Sequence, residues 1–87
     1  MPERSFVYTT HAVETLAHRA IEPGWVEAAV LAPDAEEPDP VYPERTRAYR
    51  AVPERGGRIL RVVYAQDGST CRIITAFLDR GRKRSGT

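Results

Sequence analysis

The sequence has few of the features that mark secreted or membrane proteins. It contains one cysteine, Cys71, among 87 residues, so no disulfide can form within the chain, which indicates a reducing compartment such as the cytoplasm. Because Cys71 stands in an apolar strand pattern, we expect a buried side chain rather than a reactive thiol. The apolar runs fall well short of the roughly 20 residues needed to cross a bilayer, and no signal-peptide pattern is present. The sequence therefore predicts a cytoplasmic protein with no membrane partner.

The motifs of several catalytic classes are also missing. There is no nucleophile elbow, P-loop or dinucleotide-binding glycine pattern, which argues against hydrolase, nucleoside-triphosphate and NAD chemistry. His11 and His18 are separated by about 10 Å of helix rise, too far for both to bind one zinc ion at about 2.1 Å. Glu14 and His18 alone supply only two ligands. We therefore expect no metal and no cofactor.

Charge is distributed unevenly along the chain. The formal net charge is only +1, but residues 1–44 hold nine acids and two bases, a net of −7, and residues 45–87 hold eleven bases and three acids, a net of +8. Twelve of the thirteen bases are arginine, which binds phosphate bidentately and stacks on bases as lysine does not. A polyanionic partner is one explanation of this asymmetry. A coding sequence rich in G and C, which favours alanine and arginine, is the other.

Two helices are predicted in the N-terminal half. Over residues 11–20 the apolar side chains occupy one arc of the helix and the polar side chains the other. A second helix begins at Pro23, because proline favours the first helical position, and it ends before Pro33. Thr10 is the expected N-cap of the first helix. The predicted buried positions are Ala12, Val13, Leu16, Ala17 and Ala20 in the first helix, and Val26, Ala29 and Val30 in the second.

The rest of the chain predicts a sheet. Residues 33–43 hold four prolines and four acids, so we predict an exposed acidic loop there. Strands are expected at 45–52, 58–65 and 70–78, and residues 5–8 can add an edge strand. The expected fold class is α+β, with two N-terminal helices packed on an antiparallel sheet of three to four strands. We expect residues 1–87 to form a single domain, with an ordered core at about 6–80 and a mobile basic tail at 81–87.

Arginine and aromatic side chains alternate along the predicted strands. Arg45, Arg47 and Tyr49 share one face of the first long strand, and Arg50 lies on the other. Arg61 interrupts an apolar face of the central strand, where a charge is costly unless it is paired or faces a groove. Each guanidinium group is also compatible with solvation at a sheet edge or with a salt bridge to the acidic loop. As a set, they predict a surface that binds RNA, with tyrosine rings on which a base can stack.

His11 lies opposite the apolar arc of the first helix. RNA cleavage without a metal needs a base for the 2′-hydroxyl proton, an acid for the leaving oxygen and cations that stabilise the phosphate charge. The chain supplies the residue types for this chemistry in His11, His18, Tyr49, Arg50 and Arg61. The alternative is an ordinary solvated helix face.

Several short motifs resemble a family of small prokaryotic domains of unknown function. Its members begin with a Ser/Thr-x-His-Ala helix and end in a strand that reads Val-x-Thr-x-Tyr. The resemblance covers about residues 6–80. The matching positions are Thr10-His11-Ala12, residues 19–21 and 26–34, Tyr49, and residues 60–63 and 73–77.

That family is similar in turn to the RelE/ParE/BrnT-type toxins, which pack two helices on an antiparallel sheet. RelE-type members cleave mRNA on the ribosome without a metal. The resemblance implies site residues on the first helix, the central strand and the last strand. The chain departs from the usual pattern at Thr15, where arginine is common, and at Phe77, where tyrosine is frequent. The implied site residues are His11, Arg19, Arg61, Thr75 and Phe77.

Two functions follow as hypotheses. The first is a toxin-like RNA-binding or metal-independent endoribonuclease domain whose partner is RNA or an acidic antitoxin-like protein. The second is a non-catalytic module that docks an acidic partner protein or RNA through its basic sheet. In either case the acidic segment 34–44 can lie across the basic sheet until a partner displaces it, and the sequence leaves the oligomeric state open. The predicted catalytic residues are His11, Arg19, Tyr49 and Arg61, and the predicted RNA-binding residues are Arg45, Arg47, Arg50, Thr75 and Phe77.

Overall fold

The structure is a computed structural model that describes residues 4–79. Five strands form one sheet in the order β1-β5-β4-β3-β2. The predicted mobile tail at 81–87 lies outside the described residues. In chain order the elements are β1 (Ser5–Tyr8), α1 (Thr10–Arg19), α2 (Pro23–Leu31), β2 (Ala35–Pro38), β3 (Arg45–Val52), a 3₁₀ turn (Pro53–Arg55), β4 (Arg58–Asp67) and β5 (Thr70–Asp79).

The sheet has more strands than the sequence predicted, and they do not all run antiparallel. The structure has five strands rather than three or four, and β1 pairs parallel with β5 while the other pairings are antiparallel. The edge strand at 5–8 is confirmed as β1. The unforeseen strand is β2, which lies in the segment predicted to be a loop and pairs with β3. An edge strand tolerates Pro38 because one side of its backbone needs no partner in the sheet.

α1 begins one residue before its predicted start. Its N-cap is Thr9 rather than Thr10: the Thr9 Oγ1 accepts a hydrogen bond from the Ala12 amide at 3.0 Å, which satisfies one of the free amides of the first turn. The helix ends at Arg19, and its C-cap is Ala20, which has a φ of 55° in the left-handed region. A side chain disfavours that conformation, so glycine is the usual residue there.

The buried stripe of α1 is narrower than its amphipathic pattern predicted. Ala12 and Leu16 are buried, but Val13 is 55% exposed, and Ala17 and Ala20 are exposed as well. α1 packs against β5 and β1, at one side of the sheet. The sheet therefore covers a single line of side chains on the helix. The rest of the predicted apolar arc faces outward.

α2 matches the prediction more closely. It begins at Pro23, and its buried residues are Val26, Ala29 and Val30. It packs on β3 and β4, and Tyr8 of β1 donates a hydrogen bond to a Glu27 carboxylate oxygen at 2.6 Å. The helix is therefore fixed both by apolar burial and by a polar contact to the far edge of the sheet.

The core lies between the two helices and one face of the sheet. Cys71 is completely buried there, as expected for a small apolar side chain. Within residues 4–79 no helix combines the length and the apolar character that crossing a membrane requires. The largest fully buried side chains are Leu60, Ile73, Val26, Val30, Val62 and Cys71.

α1 stands beside the second half of β5 because β1 is short. β1 pairs only with Thr70–Ile73, and a bulge follows at Ile74, which has no partner on β4. Thr9 bonds to the backbone at this point: its amide donates to the Ile73 carbonyl at 3.1 Å, and its Oγ1 donates to the Ile74 carbonyl at 3.3 Å. The polar face of α1 is thereby placed next to the sheet face that the helices leave open.

Candidate functional site

The open face of the sheet carries a row of three predicted site residues. Tyr49 on β3 pairs with Arg61 on β4, and Arg61 pairs with Phe77 on β5. Partners in register share a face, and this face is opposite the one whose side chains pack under the helices. The row runs across the middle three strands and ends beside α1.

Arg61 is held over both rings of this row. Its guanidinium carbon lies 4.6 Å from the centroid of the Phe77 ring and 5.8 Å from that of Tyr49, within the range of cation–π attraction. Its Nη2 donates to an Asp79 oxygen at 2.8 Å. Its Nε is buried and has no hydrogen-bond partner among the described residues. Arg61, which the sequence singled out, is therefore paired with a carboxylate, but its Nε–H donates no hydrogen bond to the described residues.

Arg19 reaches the same ring from the helix. Its guanidinium carbon lies 6.0 Å from the Phe77 centroid, so two cations from different elements meet at one aromatic side chain. Arg19 and Arg61 thus share Phe77 as a neighbour. We call Arg19, Tyr49, Arg61 and Phe77 the Phe77 cluster.

His11 is placed at the other end of α1. Its side chain is exposed, and its Nε2 lies 3.4 Å from the Thr15 Oγ1. His11, Thr15 and Arg19 are spaced four residues apart and share one helix face, but about 12 Å of helix rise separates the first from the last. The structure thus aligns His11 with the Phe77 cluster along one face without bringing it into contact.

Arg47 is engaged by the acidic segment. It pairs with Asp39 at 3.2 Å and with Glu37 at 3.8 Å, and the Tyr49 hydroxyl donates to Glu37 at 2.8 Å. The acidic segment therefore lies along the β3 edge as β2, not across the sheet as expected. It neutralises Arg47, and it takes the phenolic proton donor that a catalytic Tyr49 would use.

Asp39 organises the turn that follows β2. The amides of Tyr42 and Val41 each donate to its Oδ1 at 2.9 Å. These backbone hydrogen bonds, that of Tyr42 first, hold the pKa of Asp39 below its usual value, and Arg47 lowers it further. The carboxylate is thus committed to structure within the chain.

The remaining predicted RNA-binding residues fall into different places. Thr75 lies on the open face in the same row as Arg47. Arg45 stacks on the Tyr42 ring, with its guanidinium carbon 4.2 Å from the centroid. Arg50 belongs to the helix-covered side, where its Nη1 donates to the Ala32 carbonyl at 2.6 Å at the end of α2. Arg50 therefore supports α2 and stands apart from the open face.

Comparison with known families gives a match over most of the chain. A family described as "Domain of unknown function (DUF4258)" matches residues 8–78, which is most of the chain. The chain belongs to the DUF4258 family. Comparison with curated proteins and with solved structures found no match.

The matched DUF4258 region contains two further arginines, Arg55 and Arg58, that are not among the site residues predicted from the sequence. Arg55 and Arg58 line a surface cavity of about 210 Å³ together with Arg19, Ile21 and Leu78. Arg55 ends the 3₁₀ turn after β3 and Arg58 is the first residue of β4, and arginines at such positions are usually solvated. The signal that could have found them is the Arg-Gly-Gly-Arg sequence at 55–58, which sets two guanidinium groups on either side of a tight turn.

No potential metal site is formed by the part of the DUF4258 domain that the structure describes. Among residues 4–79 no group of three or more histidine, cysteine or acidic side chains is close enough to hold an ion. The chemistry available at the Phe77 cluster is that of guanidinium groups and aromatic rings.

Proposed function

We propose that this DUF4258 domain is a toxin-like cytoplasmic domain that binds RNA and cleaves it without a metal. The observation that supports this most directly is the approach of Arg19 and Arg61 to the Phe77 ring from two different elements. Guanidinium groups bind phosphate through paired N–H donors. The half-buried Phe77 ring gives a base a surface on which to stack, whereas Tyr49 is only 3% exposed and does not offer its ring to a base. One strand of RNA can use both the guanidinium groups and the Phe77 ring.

The arrangement of the elements is consistent with the RelE-like resemblance. Two helices pack on one face of the sheet, and α1 supplies polar side chains along the border of the opposite face. The helices do not cover that opposite face, although Tyr49 and Val63 on it are buried. A single strand laid along α1 would pass His11, Thr15 and Arg19 in turn. This course would bridge the separation between His11 and the Phe77 cluster.

In this proposal His11 carries the proton transfers. As a base it takes the proton of the 2′-hydroxyl, whose oxygen then attacks phosphorus to form a cyclic phosphate, while the bond from phosphorus to the 5′-oxygen breaks. The leaving oxygen receives a proton from water or a second acid, since the Tyr49 hydroxyl is already bonded to Glu37. Arg19 and Arg61 stabilise the charge that develops on the phosphate oxygens.

Induced expression in a bacterial host tests this proposal. We expect growth to stop and ribosome-bound mRNA to be cut. We expect the His11→Ala variant to let the cells grow normally and to leave the mRNA intact. His18→Ala is the matched control, because His18 is an exposed histidine of the same helix that the proposal does not use. Normal growth with intact mRNA, or equal rescue by the two variants, would contradict the catalytic proposal.

The second candidate is a non-catalytic module that docks RNA or an acidic protein through the same surface. The pairing of Arg61 with Asp79 favours it, as does the distance between His11 and the Phe77 cluster. Both candidates predict binding that weakens with salt. Only the first predicts shortened RNA products on a denaturing gel.

A further inference from the structure

The cavity beside the end of α1 differs in its electrostatics from the rest of the basic surface. Arg19, Arg55 and Arg58 line it, and no carboxylate from residues 4–79 belongs to its lining. Among the described residues, none of these three arginines forms an ion pair, whereas Arg47 and Arg61 do. The nearby Glu54 lines a different depression, next to Trp25. We call this cavity the three-arginine pocket.

The pocket is partly organised before any ligand arrives. The Arg55 Nη1 donates to the Ala20 carbonyl at 3.3 Å, which ties the β3–β4 turn to the end of α1. Ile21 and Leu78 supply its apolar lining. A cation that is already held in place loses less side-chain entropy when it binds a ligand, so a fixed Arg55 favours a localised anion over a diffuse ion cloud.

The charge of the pocket indicates which anion fits. Three guanidinium groups around one cavity suit a ligand with more than one negative charge. A phosphomonoester carries about −1.5 to −2 at neutral pH and has three acceptor oxygens, whereas a phosphodiester within a nucleic-acid strand carries one negative charge. Arginine forks match such oxygens bidentately.

Arg19 connects the pocket to the proposed RNA surface. The same side chain lines the pocket and lies 6.0 Å from the Phe77 centroid. If a base of an RNA strand stacks at the Phe77 cluster, the neighbouring phosphate group, or the phosphate at the end of the RNA, lies next to the pocket. We infer that the three-arginine pocket binds the terminal phosphomonoester of an RNA strand. This inference rests on the proposed RNA binding and adds to it a preference for phosphorylated ends.

Binding of one labelled RNA with three different ends tests the inference. We expect the oligonucleotide with a 5′-phosphate or the one with a 3′-phosphate to bind at least about tenfold more tightly than the one with hydroxyl ends, because the terminal phosphate adds charge-assisted hydrogen bonds to arginine. The tighter of the two identifies which end is recognised. Arg58→Gln should remove the preference for a phosphorylated end, because it takes one of the three guanidinium groups out of the pocket. The variant should fold normally, because Arg58 is exposed and the Arg55–Ala20 hydrogen bond does not involve it.

Arg72→Gln is the control for the change in net charge. Arg72 is exposed near the start of β5, whereas Leu78 of the pocket lies near its end, about 20 Å away along the strand. Equal affinity for all three RNA ends, or loss of the preference in Arg72→Gln as much as in Arg58→Gln, would overturn the inference while leaving RNA binding intact.

Inorganic phosphate separates failure of the pocket from failure of RNA binding. If no RNA binds, amide shifts at residues 55–58 on adding phosphate, abolished by Arg58→Gln, would support the anion pocket and reject RNA as its ligand. If neither RNA nor phosphate has an effect, the pocket inference and the proposed function are both wrong.

Discussion

The guanidinium carbon of Arg61 lies 4.6 Å from the centroid of the Phe77 ring while its Nη2 is bonded to Asp79 at 2.8 Å. The cation is thus shared between a ring and a carboxylate of its own chain. A phosphate that binds Arg61 must compete with Asp79, and the buried Nε that has no hydrogen-bond partner among residues 4–79 offers it a further donor if the side chain turns.

Neutralising Asp79 should strengthen RNA binding at a cost in stability. We expect Asp79→Asn to bind RNA several-fold more tightly, because a negative charge no longer competes with phosphate for Arg61. We also expect it to lose about 1–3 kcal/mol of folding free energy, since the asparagine oxygen can still accept the hydrogen bond from Arg61 but lacks the charge that strengthens it. Anisotropy titration and urea unfolding measure the two effects. Asp67→Asn, at the exposed β4–β5 hairpin, is the control, and an equal gain in affinity there would show that only net charge matters.

Ala20 should gain stability from a glycine. Its φ of 55° costs an alanine about 1–2 kcal/mol, which exceeds the extra chain entropy that a glycine loses on folding. Ala20→Gly should therefore raise the free energy of unfolding by about 0.5–1 kcal/mol. The same change at Ala17, exposed within the helix, should lower it by about 0.5–1 kcal/mol. Urea unfolding that ranks the two variants in the opposite order would disprove this explanation.

Tyr8 should make stability fall at high pH. Burial, together with the hydrogen bond to Glu27 and its charge, raises the pKa of Tyr8 in the folded protein. The unfolded chain therefore loses the phenolic proton first, so this contribution is complete below pH about 10 and declines as the pH rises further. Tyr8→Phe should lower stability at neutral pH by about 1 kcal/mol and flatten the alkaline decline. Unfolding curves at pH 7 and 10.5 measure both effects, and an unchanged slope would contradict the assignment.

Asp39 should make the free energy of unfolding fall at low pH, whereas Tyr8 makes it fall at high pH. The amides of Tyr42 and Val41 depress its pKa in the folded state, so its stabilisation is complete above the usual pKa of about 3.9 and is lost as the pH falls further. Asp39→Asn keeps an acceptor for the two amides but loses the charge facing Arg47. We expect the urea midpoint of the variant to change less between pH 6 and 3 than that of the parent. A slope equal to the parent's would count against this role.

Local signals in the sequence account for much of the fold. The strand predicted at 45–52 has those bounds in the structure, because its alternating side chains lie between a proline-rich segment and a proline-glycine turn. α2 begins at Pro23 as expected. β2 was missed because proline and acids disfavour a strand, and its pairing with β3 is a tertiary effect. The parallel pairing of β1 with β5 joins residues more than 60 positions apart, which periodicity cannot reveal.

The candidate site was predictable as residue types but not as a constellation. Arg61 stood out because it interrupts an apolar strand, and the structure places it with Tyr49, Phe77 and Arg19. The carboxylates that neutralise Arg47 and Arg61 come from β2 and the end of β5, and no local pattern gives those contacts. Arg58 was overlooked because its role depends on the end of α1, which is brought close only by the fold.

The salt dependence of RNA binding tests the central claim most directly, namely that Arg19 and Arg61 bind phosphate at the Phe77 ring. Each lost phosphate contact to a single strand should reduce the slope of log affinity against log salt by about 0.7. We therefore expect Arg19→Gln and Arg61→Gln each to lower the slope by that amount, and Arg72→Gln to leave it unchanged. Slopes for Arg19→Gln and Arg61→Gln that equal the parent's would contradict the claim.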